Sequence, residues 1–265
     1  MHDFEERPPI ATASVTVILP VYNQEAHLVA VVETWVQQLN ILQKEYELFL
    51  VDDASTDRTP TFGDDLVSRH PHIRLFRHES RRGFGACLRT GLDAAQHPLL
   101  CYTVCDRQYQ PADLKRLLAW IDKVDMVVGC RMVRSRPMPF RWQDWWKRFL
   151  IRRLMGVHMR DLDCLFLLAR RHIFAQIPIQ SNSQFAHVEI LAKANFLGCF
   201  MTEAPVSFQP LSRITPNPWA TDKRQNWREV RHFFFHPDFG PLAIDVRDQR
   251  SEVRDQKSET PNTGV

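Results

Sequence analysis

Short apolar runs alternate with amphipathic stretches along the first half of the chain. The run at 14–22, "SVTVILPVY", is nearly continuous, β-branched and stopped by Pro20, which is typical of a strand buried on both faces. The stretch at 23–39 predicts a helix with Asn23 as its N-cap. Its apolar residues recur at helical spacing: Leu28, Val31, Val32, Trp35 and Leu39.

The alternation continues to residue 131. It predicts strands at about 46–53, 72–78, 99–106 and 125–131, and helices at about 57–70, 85–96 and 111–122. This order predicts an α/β fold with a mostly parallel, Rossmann-like sheet and helices on both faces. Ligands of such sheets bind beyond the carboxyl ends of the strands.

The second half of the chain is less regular. The pattern predicts an aromatic helix at 141–155, a strand pair or a strand and turn at 158–169, a helix at 184–197 and a closing strand at 199–208. The expected organisation is a loose leader at 1–13, one domain at 14–243 and a polar tail at 244–265. The tail reads "VRDQRSE" and then "VRDQKSE", which favours disorder over a short charged helix.

Composition narrows the class of protein. The 265 residues are 44% hydrophobic with a formal charge of +3, which is ordinary globular composition and gives no reason to expect nucleic acid as a partner. No apolar run approaches the ~18 residues of a spanning helix, and from the polar, acidic residues at the start of the sequence we expect no secretory signal peptide. The six cysteines show no metal-binding spacing. We therefore expect a cytoplasmic protein with reduced, buried cysteines.

Four motifs follow one another in a recognisable order. They are "VILPVYNQE" at 17–25, "VDDASTD" at 51–57, "RRGFGACLRTGL" at 81–92 and "CDRQYQP" at 105–111. The ordered set resembles the family-2 glycosyltransferases with a GT-A fold. The likeness is greatest to the branch of dolichyl-phosphate mannose synthases and bacterial polyprenyl-phosphate sugar transferases, and it covers roughly residues 14–215. It implies inverting transfer of a sugar from a UDP- or GDP-sugar to an acceptor such as a polyprenyl phosphate.

The resemblance implies a nucleotide pocket at the strand ends. Its expected members are Pro20, Tyr22, Gln24, Asp53, Gly83, Ala86, Asp106 and Gln108. "DDASTD" is also what turns and helix caps produce, so Asp53 has a structural alternative. Gly83 and Gly85 permit positive φ and close backbone approach, and the helix after them offers N–H groups to a ligand. A plain strand–helix turn is the alternative for these glycines.

The resemblance also implies a divalent cation. In the family this block reads Asp-x-Asp-x-Gln, and here those positions hold Val104, Asp106 and Gln108. Asp106 is therefore the expected ligand of Mg²⁺ or Mn²⁺, without the other carboxylate. Magnesium usually keeps several waters and takes one or two carboxylates plus phosphate oxygens, so one ligand is compatible with binding. Arg107 either supplements the cation's charge or points to solvent.

Further residues are assigned by family position. Arg131 and Arg213 are expected to bind phosphates, which places Arg131 with Asp106 and Asp163 in the expected catalytic set. A phosphate acceptor is already anionic and needs no strong base, whereas a hydroxyl acceptor needs one. The candidate bases are Asp161, Asp163 and Glu189, with Asp163 favoured and Glu189 expected to be structural.

Residues 131–153 combine eight Lys or Arg with three tryptophans. This pattern is typical of a helix at a membrane surface, where a lipid-phosphate acceptor would be met at the inner face of the membrane. A core-packing helix with a basic outer face is the alternative. The aromatic cluster at 233–243 extends the same surface in the membrane interpretation.

A second class of function stays open. A degenerate family member would bind nucleotide or lipid without turnover. Val104, Gln24 and Leu165 support this alternative because each departs from the family pattern.

Overall fold

The computed structural model describes residues 10, 13–132, 153, 156–210, 218–219, 223–236 and 238. The strands are β1 (Val15–Val21), β2 (Tyr46–Asp52), β3 (Ile73–Arg77), β4 (Leu99–Thr103), β5 (Met126–Arg131), β6 (Phe166–Arg170) and β7 (Met201–Val206). The helices are α1 (Leu28–Ile41), α2 (Thr59–Arg69), α3 (Phe84–Ala94), α4 (Leu114–Ile121), α5 (Arg171–Phe174), α6 (Phe185–Phe196) and α7 (Lys223–Phe235).

The strands form one sheet in the order β3-β2-β1-β4-β6-β5-β7. Strand β6 runs antiparallel to β4 and β5, and every other pairing is parallel. The predicted mostly parallel α/β sheet is therefore confirmed. The carboxyl ends of β1, β2, β3 and β4 share one edge, because these four strands are parallel neighbours.

Helices cover both faces of the sheet. On one face Tyr102 of β4 packs edge-on between Phe84 of α3 and His187 of α6. On the other face Trp35 of α1 packs edge-on against Phe166 of β6. The central strands are buried along almost their whole length, as their apolar runs predict.

Two local predictions in the first motif are wrong. β1 continues through Pro20 to Val21, because its pairing with β4 ends at Ile18 and only β2 accompanies its last residues. Asn23 does not cap α1, which begins at Leu28. The side chain of Asn23 instead accepts a hydrogen bond from the backbone N–H of Thr56 at 2.8 Å. This bond joins the loops that follow β1 and β2.

Several predictions lie outside the described residues. They concern most of the leader at 1–13, the helix at 141–155 apart from Arg153, Arg213, and the tail at 244–265. The domain bounds therefore stay predictions. Within the described part of the chain, every helix is too short or too polar to cross a membrane.

Candidate active site

Asp106 lies on the loop that follows β4. Its carboxylate is only 3% exposed. One oxygen accepts the backbone N–H of Gln108 at 3.1 Å, and the other accepts the Gln108 side-chain amide. Burial raises the pKa of Asp106, and the hydrogen bonds from Gln108 and the charge of His27 oppose that rise. The structure thus joins Asp106 and Gln108, the two residues that this sequence shares with the family motif. A buried carboxylate of this kind favours a bound cation.

The neighbouring positions of that loop differ from each other. Val104 is buried and offers no ligand atom. Arg107 is exposed and adopts a φ of 63°, a left-handed conformation that is uncommon for a residue with a Cβ. The exposure agrees with the solvent-facing interpretation of Arg107.

Asp53 lies at the end of β2, and its carboxylate is fully buried. It accepts the backbone N–H groups of Arg82 and Gly83 at 2.8 Å each, and it bonds His78 Nδ1 at 2.9 Å. These bonds fix the turn between β3 and α3. In this arrangement both Asp53 oxygens bond the protein itself, so the structure gives Asp53 a direct role in shaping the turn.

The two glycines of that turn let another backbone segment of the protein pack directly against them. Gly83 has a φ of 94°, and a Cβ on Gly85 would overlap the carbonyl oxygen of Ser181. The Gly85 N–H donates to the Asn182 carbonyl at 2.8 Å. Close backbone approach is confirmed, but the partner is the 181–182 segment. The sequence predicts that the N–H groups of the following helix face a ligand, and this is not met at Gly85, whose N–H donates within the protein. The N–H groups of Arg82 and Gly83, which precede the helix, also donate within the protein. Ala86 is buried beside them.

Glu189 fixes the 181–182 segment by accepting backbone hydrogen bonds at its start. Its fully buried carboxylate accepts the N–H groups of Gln180 and Ser181 at 2.7 and 2.8 Å, and it pairs with Lys193 at 2.8 Å. Arg89 of α3 adds bonds to the carbonyls of Ile179 and Ser181 at 3.0 and 3.1 Å. These contacts give Glu189 a structural role, in agreement with the sequence expectation.

An aromatic and cationic cluster adjoins the end of β1. The Arg81 guanidinium lies 4.0 Å above the ring of the half-buried Tyr22. Arg81 also donates to the Pro218 carbonyl at 2.6 Å, and the Trp219 ring lies 6.5 Å from that of Tyr22. Pro20 and Gln24, which lie two residues before and after Tyr22 in the sequence, are both buried. The residues predicted from the first motif thus lie in β1 and in the segment that follows it.

Arg131 forms a two-point ion pair at the end of β5. Its Nε and terminal nitrogen each lie 2.6 Å from an oxygen of the buried Asp161, and its guanidinium lies 4.9 Å from the Phe208 ring centre. Burial favours a raised pKa for Asp161, but the hydrogen bonds and charge of Arg131 outweigh it and hold that pKa below its usual range. Asp161 is thus an ion-pair partner, while Asp163 is exposed on the same loop.

One group of metal-capable side chains occurs in the described part of the chain: ligand atoms of Asp53, His78 and Cys87 lie within 4.8 Å of one another. The His78 nitrogens bond Asp53 and Thr90, both at 2.9 Å. Burial and the nearby Asp53 charge raise the pKa of the Cys87 thiol. A protonated thiol and a fully bonded imidazole are poor ligands, so we interpret this group as the core of the turn.

Some residues of the site have little or no signal in the sequence. His78 directly follows β3, so the rule of strand ends could have found it. His27 occupies the predicted helix and resembles any surface histidine. Arg81 and Trp219 are separated by more than a hundred residues, and only the folded chain brings them to Tyr22.

Comparison with known proteins agrees with this geometry. Residues 16–177 match the family described as Glycosyl transferase family 2, and the chain therefore belongs to that family. It is 28% identical over 179 residues to a dodecaprenyl-phosphate galacturonate synthase of Rhizobium johnstonii, covering 66% of this chain and 53% of that protein. It is 24% identical over 214 residues to a polyprenol monophosphomannose synthase of Mycolicibacterium smegmatis, covering 74% and 78%.

Solved structures share the fold. Glucosyl-3-phosphoglycerate synthase from Mycobacterium tuberculosis, in complex with Mn²⁺, UDP and phosphoglyceric acid, aligns with a TM-score of 0.59 at 17% identity, covering 78% of this chain and 73% of that one. The fold is thus that of GT-A glycosyltransferases. This chain spans about half the length of the Rhizobium relative.

Proposed function

We propose that this protein transfers a sugar from a nucleotide-sugar to the phosphate of a polyprenyl lipid, with inversion at the anomeric carbon. The proposal is supported by membership in glycosyl transferase family 2 and by the names of two relatives, one a dodecaprenyl-phosphate galacturonate synthase and the other a polyprenol monophosphomannose synthase. The observation that carries it is the buried Asp106 carboxylate, which accepts two hydrogen bonds from Gln108 at the carboxyl edge of the sheet. We propose that the nucleoside diphosphate of the donor binds at this edge.

The residues of the site fit a divalent cation. Burial raises the pKa of the Asp106 carboxyl, so a cation there would offset an unfavourable buried charge. Its oxygens accept one hydrogen bond each from Gln108 and keep lone pairs for a metal. A cation held by Asp106 would neutralise charge on the departing diphosphate.

A phosphate acceptor would explain why the site has few side chains that could act as an acid or a base. An acceptor phosphate oxygen is anionic before it attacks, so it forms the new bond to the anomeric carbon without losing a proton. The bond from that carbon to the diphosphate oxygen breaks, and nucleoside diphosphate leaves. Arg131 and Arg213 are proposed to bind phosphate groups, with Asp161 fixing the orientation of Arg131. Asp163 would be the base only for a hydroxyl acceptor.

A lipid acceptor requires the site to meet a membrane surface. The basic, tryptophan-rich residues 131–153 are the proposed contact, since interfacial Trp and cationic side chains favour anionic membranes. We propose that this contact is peripheral.

A transfer assay tests the function. Radiolabelled UDP- and GDP-sugars are incubated with the full chain, Mn²⁺ and polyprenyl phosphate in detergent, and label is counted in the organic phase. Wild type should transfer label from one donor, and Asp106→Asn should transfer at least a hundredfold less. Asp64→Asn changes an exposed carboxylate of α2 that pairs with Arg77 and should match wild type. Label that stays in the aqueous phase with every donor would contradict the proposal.

A binding protein without turnover is the second candidate. The buried, apolar Val104 and the internally bonded N–H groups of the Gly83 turn favour it. It predicts that sugar nucleotide binds but no label is transferred, and that Val104→Asp gains transfer activity.

A further inference from the structure

Two buried polar atoms, one on the segment after β1 and one at the end of β4, lack a hydrogen-bond partner within the described residues. One is Nδ1 of His27, and the other is the hydroxyl oxygen of Thr103. An unsatisfied buried polar group costs roughly 1–3 kcal/mol. Such groups are rare in native proteins, and they are tolerated where a bound ion, water or ligand satisfies them.

The topology brings the segments that carry these two atoms to the same edge of the sheet as Asp106. His27 follows β1 and Asp106 follows β4, and these strands are parallel neighbours whose ends share one edge. Thr103 is the last residue of β4. His27 is also near enough for its charge to lower the pKa of Asp106. The unpartnered imidazole therefore belongs to the segment that follows β1, at the same sheet edge as the buried carboxylate.

The histidine near Asp53 is an example of an imidazole bonded entirely within the protein. His78 bonds Asp53 with one nitrogen and Thr90 with the other. His27 differs because its buried nitrogen has no such partner in the described structure. That nitrogen is available to an incoming group.

The site lacks a second obvious metal ligand. Asp106 supplies one carboxylate, and Val104 is a buried hydrocarbon. Imidazole is a common metal ligand in its neutral form, and it suits transition-metal ions better than Mg²⁺, which prefers oxygen.

We propose that His27 is a second protein ligand of the cation at Asp106, binding it through Nδ1. This inference rests on the proposed function of the site. It makes His27 part of the donor-diphosphate machinery and predicts that the site prefers Mn²⁺ to Mg²⁺.

Pulsed EPR on Mn²⁺ bound to the full chain tests this directly, because a coordinated imidazole nitrogen modulates the electron spin echo. Mn²⁺ alone is measured first, and then Mn²⁺ with UDP or with GDP. Wild type should show nitrogen modulation, and His27→Gln should lose it with at least tenfold weaker Mn²⁺ affinity. His97→Gln, before the opposite end of β4, should keep both. Circular dichroism and thermal melting check that each variant is folded.

The outcomes separate the two proposals. Nitrogen modulation that survives in His27→Gln, or Mn²⁺ that binds wild type without it, overturns the role of His27. Binding of UDP or GDP to that same wild-type sample leaves the proposed function standing. Wild type that binds neither nucleotide nor Mn²⁺ overturns both. Modulation lost only in His27→Gln supports the assignment even if turnover is absent.

Discussion

Gly85→Ala is expected to destabilise the protein strongly, although alanine is the better helix former. Gly85 is the second residue of α3, where the 181–182 segment packs directly on the helix backbone. An added Cβ would overlap the Ser181 carbonyl oxygen, and it would lie 2.9 Å from both the Ser181 carbonyl carbon and the Ala186 Cβ. Real Cβ atoms do not approach backbone this closely, so the segment must move.

The magnitude follows from what that movement disturbs. The bond from Gly85 N–H to Asn182 would be lost, at about 0.5–1.5 kcal/mol. Overpacking of the rigid segment adds about 1–3 kcal/mol, because Arg89 and Glu189 resist its displacement. Helix propensity returns at most ~1 kcal/mol. We therefore expect a net loss of about 1–4 kcal/mol.

Urea unfolding followed by circular dichroism measures the change. Gly63→Ala is the matched control, because Gly63 is also buried in a helix but its added Cβ would meet the movable tip of Leu75 at 2.9 Å. Gly63→Ala should stay within ~1 kcal/mol of wild type. A Gly85→Ala variant as stable as Gly63→Ala would refute the close docking of the 181–182 segment.

Three further predictions concern buried charge. Without metal, Asp106→Asn should raise the midpoint of thermal unfolding by a few degrees, because it removes a buried carboxylate whose pKa is raised. The same variant should show no Mn²⁺ binding by calorimetry. A lowered midpoint would contradict the prediction. Asp161→Asn should lose about 2–4 kcal/mol in urea unfolding by leaving Arg131 half-buried and unpaired, and a loss below 0.5 kcal/mol would contradict the ion pair. Burial lowers the pKa of His187 to about 4, so the free energy of unfolding should be full above pH ~6.5 and should fall by at most about 3 kcal/mol as the pH drops toward 4. In unfolding curves measured across this range, His187→Gln should show a weaker dependence on pH. An unchanged dependence would contradict the prediction.

The alternation of apolar runs and helical stripes predicted most of the fold. β1, β2, β4 and β5 are fully or nearly continuous apolar runs, so burial on both faces leaves a clear signal. The direction of the antiparallel β6 is harder to predict, because a reversed strand has the same kind of apolar sequence as a parallel one. Asn23 was misassigned because the same side chain suits a helix cap and a loop-to-loop bond.

The candidate site was predictable where chemistry follows a strand end. Asp53 and Asp106 were found by that rule and by family resemblance. Their surroundings were not, because the bonds to Asp53 come from residues 78–83 and the docking on Gly85 comes from nearly a hundred residues further along. Periodicity reports which face of an element is buried. It does not report which distant backbone lies against a glycine.

Calorimetric titration with UDP- and GDP-sugars, with and without Mn²⁺, tests the central claim most directly. We expect one class of sugar nucleotide to bind in the micromolar range only with Mn²⁺, and Asp106→Asn to abolish that dependence. Failure of every sugar nucleotide to bind, with or without metal, would contradict a glycosyltransferase site at Asp106.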